Sequence, residues 1–381
     1  MSVDLSFGIE WSLLEATVRA GADPSKLPDF DSTLAQNDID WGELIEQALR
    51  HKLLPLIALH LTAEPVRNRI PWPIRLHLDR SLAVNRHFLG IYRHTAARVV
   101  EALAQAGVTT AGTKGIALES TIYGADGSRY MNDLDFMVQA HDRVAAVESL
   151  ERIGFVVGDY NAGRKAVVPH SRREEVIYRL NPDHIPIMAL TTGDTIAPAV
   201  RLDIAYSLTW ARSEYDVPVS AAFATLTEQA IPGVPGTNLP VLAPDFQFIF
   251  TALHLFREAW LDRWLGDGDD QDVNLAKFGD VLRLWQMHGD GLAIGLLATI
   301  EQFDLVRPMA WVTEHLDRLF GTSVTAAAGL SGRLDETMLS AAYAPGGGLR
   351  HWKGTMRDRL VSKHRRQLLE STAGRMNGAN P

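Results

Sequence analysis

The sequence predicts an α+β (mixed α/β) fold, in which a small mixed sheet lies between an N-terminal and a C-terminal helical region. Three observations carry this reading. Apolar residues recur at helical spacing up to about residue 100 and again from Ala243. Between Val108 and about Trp210, short strand-like runs alternate with helices stopped by glycine. The hydrophobic fraction of 46% and charged fraction of 22% are those of a globular chain with a large core. The expected division is a helical region over 1–100, an α/β domain over 101–215, a helical domain over 216–345 and a basic, partly flexible tail over 346–381.

Taken in order, "WGELIEQALRHKLLPLIALHL" has helical spacing, with Pro55 as a kink or boundary. The next helix begins near Pro73 and stops at Gly107, and its Arg and His residues read as a solvated face. "VTTAGTKG" reads as a strand closed by Gly115, and "IALESTIYG" as a short helix closed by Gly124. "DLDFMV" is a strand, and "AHDRVAAVESLERIGF" is a helix stopped by Gly154. "EEVIYRL" and "VRLDIAYSL" read as two further strands. "APDFQFIFTALHLFREAWL" opens a helix with proline in its first turn, and "NLAKFGDVLRLWQMHG" is another. After "PGGG" at 345–348 the basic stretch "LRHWKGTMRDRLVSKHRRQLL" reads as roughly helical.

The bulk numbers exclude several function classes. Cysteine is absent, which removes disulfides, thiolate zinc sites and cysteine nucleophiles. The net charge of −9 gives no overall invitation to nucleic acid. "MSVDLSFGIEW" is not a signal peptide and no apolar run of about 20 residues occurs, so a cytoplasmic protein without a membrane span is expected. "GDGDDQD" at 266–272 lacks the calcium-loop pattern and reads as a solvated acidic loop.

The chemistry concentrates in "RYMNDLDFMV". Side chains alternate along a strand, so Asp133 and Asp135 share a face while Leu134 and Phe136 enter the core. Two like charges there cost stability unless something cancels them, and hard oxygen donors at this spacing suit Mg²⁺ or Mn²⁺. Asp203, flanked by Leu202 and Ile204, offers a third carboxylate from a later strand. Three such acids can hold two metals about 3.5–4 Å apart for in-line phosphoryl or nucleotidyl transfer. Arg172 and Arg173, between the two acidic strands in sequence, are candidates for a triphosphate or an anionic acceptor.

The segment "TKGIALESTIYGADGSRYMNDLDFMV" resembles the uncharacterised nucleotidyltransferase family of bacteria, with its LKG turn and R-x-x-x-D-x-D strand. That family is placed in the DNA-polymerase-β-like nucleotidyltransferase superfamily. The likeness continues through "VRLDIAYSLTW" and the helices after Ala243, covering most of residues 40 to 290. The resemblance implies a nucleotidyltransferase palm in which Asp133, Asp135 and Asp203 bind catalytic metals and an NTP is co-substrate. It implies that Lys114 and Gly115 lie at the turn that cradles the triphosphate, and that Arg129 pairs with phosphate or braces the loop. Where superfamily members usually carry a small residue after this glycine, this chain has Ile116. With low net basicity a small-molecule or peptide acceptor is favoured. The alternatives are a tRNA- or protein-modifying, toxin-like enzyme and a non-catalytic binding module that keeps the fold.

Overall fold

The computed structural model describes residues 7–21, 23–179, 183–211, 213–261, 273–343 and 348–370. The acidic loop at 266–272 and the last residues of the tail fall outside them. The architecture is mixed α/β, as expected, and its mixed sheet is large and flanked by helices. The chain divides into two compact units. One joins residues 1–75, 212–215 and 248–381, and the other joins 76–211 and 216–247.

The N-terminal helices are α1 (Ile9–Ala20), α2 (Phe30–Gln36), α3 (Trp41–Arg50) and α4 (Leu54–Leu61). Pro55 sits in the first turn of α4 and marks a boundary, because a proline there gives up only an N–H the helix cannot use. Helix α5 (Trp72–Gln105) then runs through 34 residues. The α/β unit follows as β1 (Thr110–Thr113), α6 (Lys114–Thr121), β2 (Leu134–Val138), α7 (Arg143–Arg152), β3 (Val156–Asn161), β4 (Ala166–Pro169), α8 (Arg172–Arg179), β5 (Met188–Thr191), β6 (Ala199–Ala205), α9 (Val219–Phe223), β7 (Thr227–Ala230) and β8 (Asn238–Val241).

These eight strands form one sheet in the order β4-β3-β5-β6-β2-β1-β8-β7. β2 pairs parallel with β6 and antiparallel with β1, while β1 pairs parallel with β8. All five residues of β2 are buried, so both of its faces are covered. Leu134, Phe136 and Val138 join one core with Leu89, Ala96 and Val100 of α5, Ile116 of α6 and Leu150 of α7.

Two expectations are corrected here. "EEVIYRL" is not a strand but lies largely in helix α8. The Ser171 and Glu174 pair overrides the β-propensity of its Val-Ile-Tyr run: Ser171 donates its N–H and hydroxyl to the Glu174 carboxylate at 2.6 and 2.7 Å. Gly115 does not close a strand but lies in the first turn of α6, which starts at Lys114.

The other unit continues with α10 (Pro244–Trp260), α11 (Leu275–Ala293), α12 (Leu296–Gln302) and α13 (Val306–Phe320). Phe256 stacks on Trp260 at 5.1 Å and meets Trp311 edge-on at 5.5 Å, so these aromatics are core packing. The basic stretch is not one surface helix. Strands β9 (Ala341–Tyr343) and β10 (Leu349–His351) pair antiparallel, and a short helix covers Met356–Val361. Arg359 and Arg365 are buried, donating to the Ala259 and Val273 carbonyls at 2.9 and 2.6 Å. Ala259 lies in the last turn of α10, whose carbonyls have no partner within the helix. Arginine's planar fork suits such carbonyl acceptors.

Candidate active site

The register of the sheet builds the site. Thr113 of β1 stands opposite Asp135 of β2, and Asp135 stands opposite Asp203 of β6. Directly opposed residues on neighbouring strands face the same side, so Thr113, Asp135 and Asp203 form one row across three strands. Asp133 immediately precedes β2 and is half-buried, so one acid of the pair sits on the strand and the other in the loop leading into it.

Helix α5 holds that loop. Asn85 donates to the carbonyls of Gly127 and Arg129 at 2.8 and 3.0 Å, and Arg86 to that of Asp126 at 2.8 Å. One turn and more along, the Tyr92 hydroxyl donates to the Asn132 carbonyl at 2.9 Å. Arg93 reaches the buried Glu119 of α6 with two nitrogens and the Ala125 carbonyl at 3.1 Å. Burial, then the charge of Asp133, raises the Tyr92 pKa to about 12, so it remains a donor. The stretch of α5 that reads as a solvated face in sequence is therefore partly a clamp on the acidic loop.

The first turn of α6 completes the site. Lys114 has φ of 43°, left-handed backbone that a side chain rarely adopts. Its ammonium donates to Asp135 Oδ1 at 2.7 Å. Burial works against that ammonium, but Asp135, Asp203 and Asp133 outweigh it and raise its pKa. Burial first, against the pull of Lys114 and with a push from Asp133 and Asp203, raises the Asp135 pKa to about 7.

Gly115 answers a close approach, since a Cβ there would meet Met131 Sδ at 2.6 Å and Arg129 Nη1 at 3.1 Å. The Arg129 side chain thus lies over this turn, with its guanidinium 5.8 Å from the Tyr123 ring centroid. Ile116 is fully buried in the core and points away from the row, so it occupies a packing position.

The structure thus brings Asp133, Asp135, Asp203, Lys114, Gly115 and Arg129 together. Arg172 and Arg173 are exposed at the start of α8, which follows the edge strand β4, three strands from β6.

Sequence reasoning missed His184. Residues 183–185 run beside β6 through the His184–Ala205 bridge and the Ile185 amide on the Ile204 carbonyl at 2.9 Å. This puts His184 Nε2 3.8 Å from Asp203 Oδ2 and its Nδ1 3.3 Å from Asp183 Oδ1. No local pattern announces that pairing; only the strand register reveals it.

Hard carboxylate donors on adjacent strands, with Asp203 Oδ1 buried and without a hydrogen-bond partner, fit a divalent cation. As the side chains stand, no three metal-ligating groups among the described residues are gathered around one point. Lys114 holds Asp135 instead.

The mixed sheet thus presents acids from adjacent strands beside the first turn of a helix. The model of a family described as uncharacterised nucleotidyltransferase matches residues 37–321, and the chain belongs to that family. The family identifies a transferase for which an NTP is the implied substrate. No curated protein matches the chain, and no solved structure does. No helix among the described residues is long and apolar enough to cross a membrane.

Proposed function

We propose that this protein is a metal-dependent nucleotidyltransferase of the DNA-polymerase-β-like superfamily and of bacterial type, acting in the cytoplasm. It moves a nucleoside monophosphate from an NTP to a small-molecule or peptide acceptor. The observation that carries the reading is the Asp135–Asp203 register on parallel neighbours, with Asp133 one step before the strand.

Asp133, Asp135 and Asp203 would hold Mg²⁺ or Mn²⁺, which supplies Lewis-acid stabilisation of charge on the α-phosphate and on the departing pyrophosphate. The new bond joins the acceptor oxygen to the α-phosphorus, and the bond from that phosphorus to the bridging oxygen of the β-phosphate breaks. Asp203 takes the acceptor proton, with His184 as its neighbour at 3.8 Å. Arg129, over the first turn of α6, binds the triphosphate together with the N–H groups of that turn. The exposed Arg172 and Arg173 serve the outer part of an anionic substrate.

Incubating the protein with each α-phosphate-radiolabelled NTP and cell extract identifies base and acceptor together. Label on a small molecule or peptide is expected, and it disappears with Asp203→Ala. Label on tRNA or on a large protein gives the toxin-like alternative. Absence of both labelling and Mg²⁺-dependent NTP binding by calorimetry gives a non-catalytic module.

A further inference from the structure

We propose that Lys114 is a built-in cation of this site, its ammonium taking the place of one of two metals, so that the centre binds a single divalent ion. The inference rests on the nucleotidyltransferase reading and deepens it.

Three features of the geometry point this way. The Lys114 ammonium is on Asp135 Oδ1 at 2.7 Å, the carboxylate at the centre of the row. A metal ligated by that oxygen would lie at about 2.0–2.1 Å from it, so it would compete with the ammonium for the same space. The backbone also places the lysine deliberately. Its left-handed φ of 43° is strained and persists only where the surroundings demand it. Thr113, one residue earlier, is fixed opposite Asp135 by the β1–β2 ladder, so the strained residue is anchored beside its partner.

Charge is in keeping with this: Asp135, Asp203 and Asp133 all act on the one Lys114 ammonium. A tethered ammonium need not be recruited from solution, which favours it over a second ion. Asp133 and the unpartnered Oδ1 of Asp203 are left to hold the remaining ion. Lys114 thereby becomes a positioning residue that fixes Asp135 and sets metal stoichiometry.

Mn²⁺ titration with electron paramagnetic resonance counts bound ions per chain without requiring turnover. Mn²⁺ is the probe, used alone and again with α,β-methylene-ATP. Lys114→Met keeps the apolar stem and removes the charge; Lys114→Ala guards against a special effect of Met, and circular dichroism confirms both folds. The wild type is expected to bind one Mn²⁺ and each variant two, in at least one of the two conditions. With nucleotide present, two ions on the wild type overturn the proposal, because the lysine has then yielded its place. Equal counts in wild type and variants under both conditions also overturn it, since the lysine is then only a competitor. No Mn²⁺ on any of the three proteins defeats the metal-dependent reading itself, a result distinct from either of these.

Discussion

Helix α6 is tied down by two ion pairs that look alike and behave differently. Near its C-terminal end, Glu119 receives two guanidinium nitrogens of Arg93, and Arg93 gives a further N–H to the Ala125 carbonyl. One carboxylate meets one bidentate cation, and the pair is closed. At the first residue, Lys114 gives one hydrogen bond to Asp135 while Asp133 and Asp203 press on the same charge. That pair carries surplus negative charge. The contrast separates a fastener from the proposed site: charge is balanced where only structure is needed, and left unbalanced where the proposed cation would arrive.

The sharpest way to break this comparison is Glu119→Ala. Glu119 is 1% exposed, and removing it strands a largely buried guanidinium, so stability should fall by about 3–5 kcal/mol. A urea unfolding midpoint measures it; a loss below about 1 kcal/mol would mean that the pair is not the closed fastener described.

Asp135→Asn should do the reverse. It loses the Lys114 contact but relieves repulsion with Asp133 and Asp203, so stability should change by less than about 1.5 kcal/mol. Nucleotidyl transfer should fall by about 10²–10³-fold, as for loss of a group that stabilises transition-state charge. A stability loss as large as that of Glu119→Ala would erase the distinction.

A smaller effect is expected from Asn85→Ala, which removes both donors from the Gly127 and Arg129 carbonyls. The cost should be about 1–3 kcal/mol. Hydrogen exchange should quicken in residues 125–132 and leave β2 unchanged, because the clamp acts on the loop and not on the ladder. Equal acceleration along β2 would show that loop and strand open as one unit.

How much of this was legible in the sequence follows from which interactions are local. The D-x-D pattern located Asp133 and Asp135, and a single acid between apolar neighbours located Asp203, because a charged residue in a strand needs a reason wherever the strand goes. Helix α8 carries a local signal too, the Ser171–Glu174 box, set against the β-propensity of its Val-Ile-Tyr run. The α5 clamp and His184 could not be read, since both depend on partners about 20 to 45 residues distant that only tertiary register supplies. Ile116 shows the converse. In sequence it looks like a misfit at a phosphate turn, and in the fold it is a fully buried core residue.

The two units also differ in how burial acts on a titrating group, and here the expected net effect is smallest because the signs oppose. Burial pushes Asp135 up from 3.8 to about 7. Its native form therefore holds a proton that the unfolded chain gives up; the associated stability is full below about 3.8 and is lost as pH rises through about 7. His315, in the other unit, is pushed from 6.5 down to about 3 by burial and then by Arg359, while its bond to the Leu339 carbonyl works the other way. The unfolded chain protonates there and the native one does not, so its contribution is full above about 6.5 and is lost as pH falls toward about 3. Going from pH 7 to pH 5 in divalent-free buffer should thus stabilise through Asp135 and destabilise through His315. Urea midpoints at the two pH values separate the terms. Asp135→Asn should lose more stability on acidification than the wild type does, and His315→Gln should lose less. If both variants shift in the same direction relative to wild type, one of the two buried groups does not titrate as its surroundings dictate.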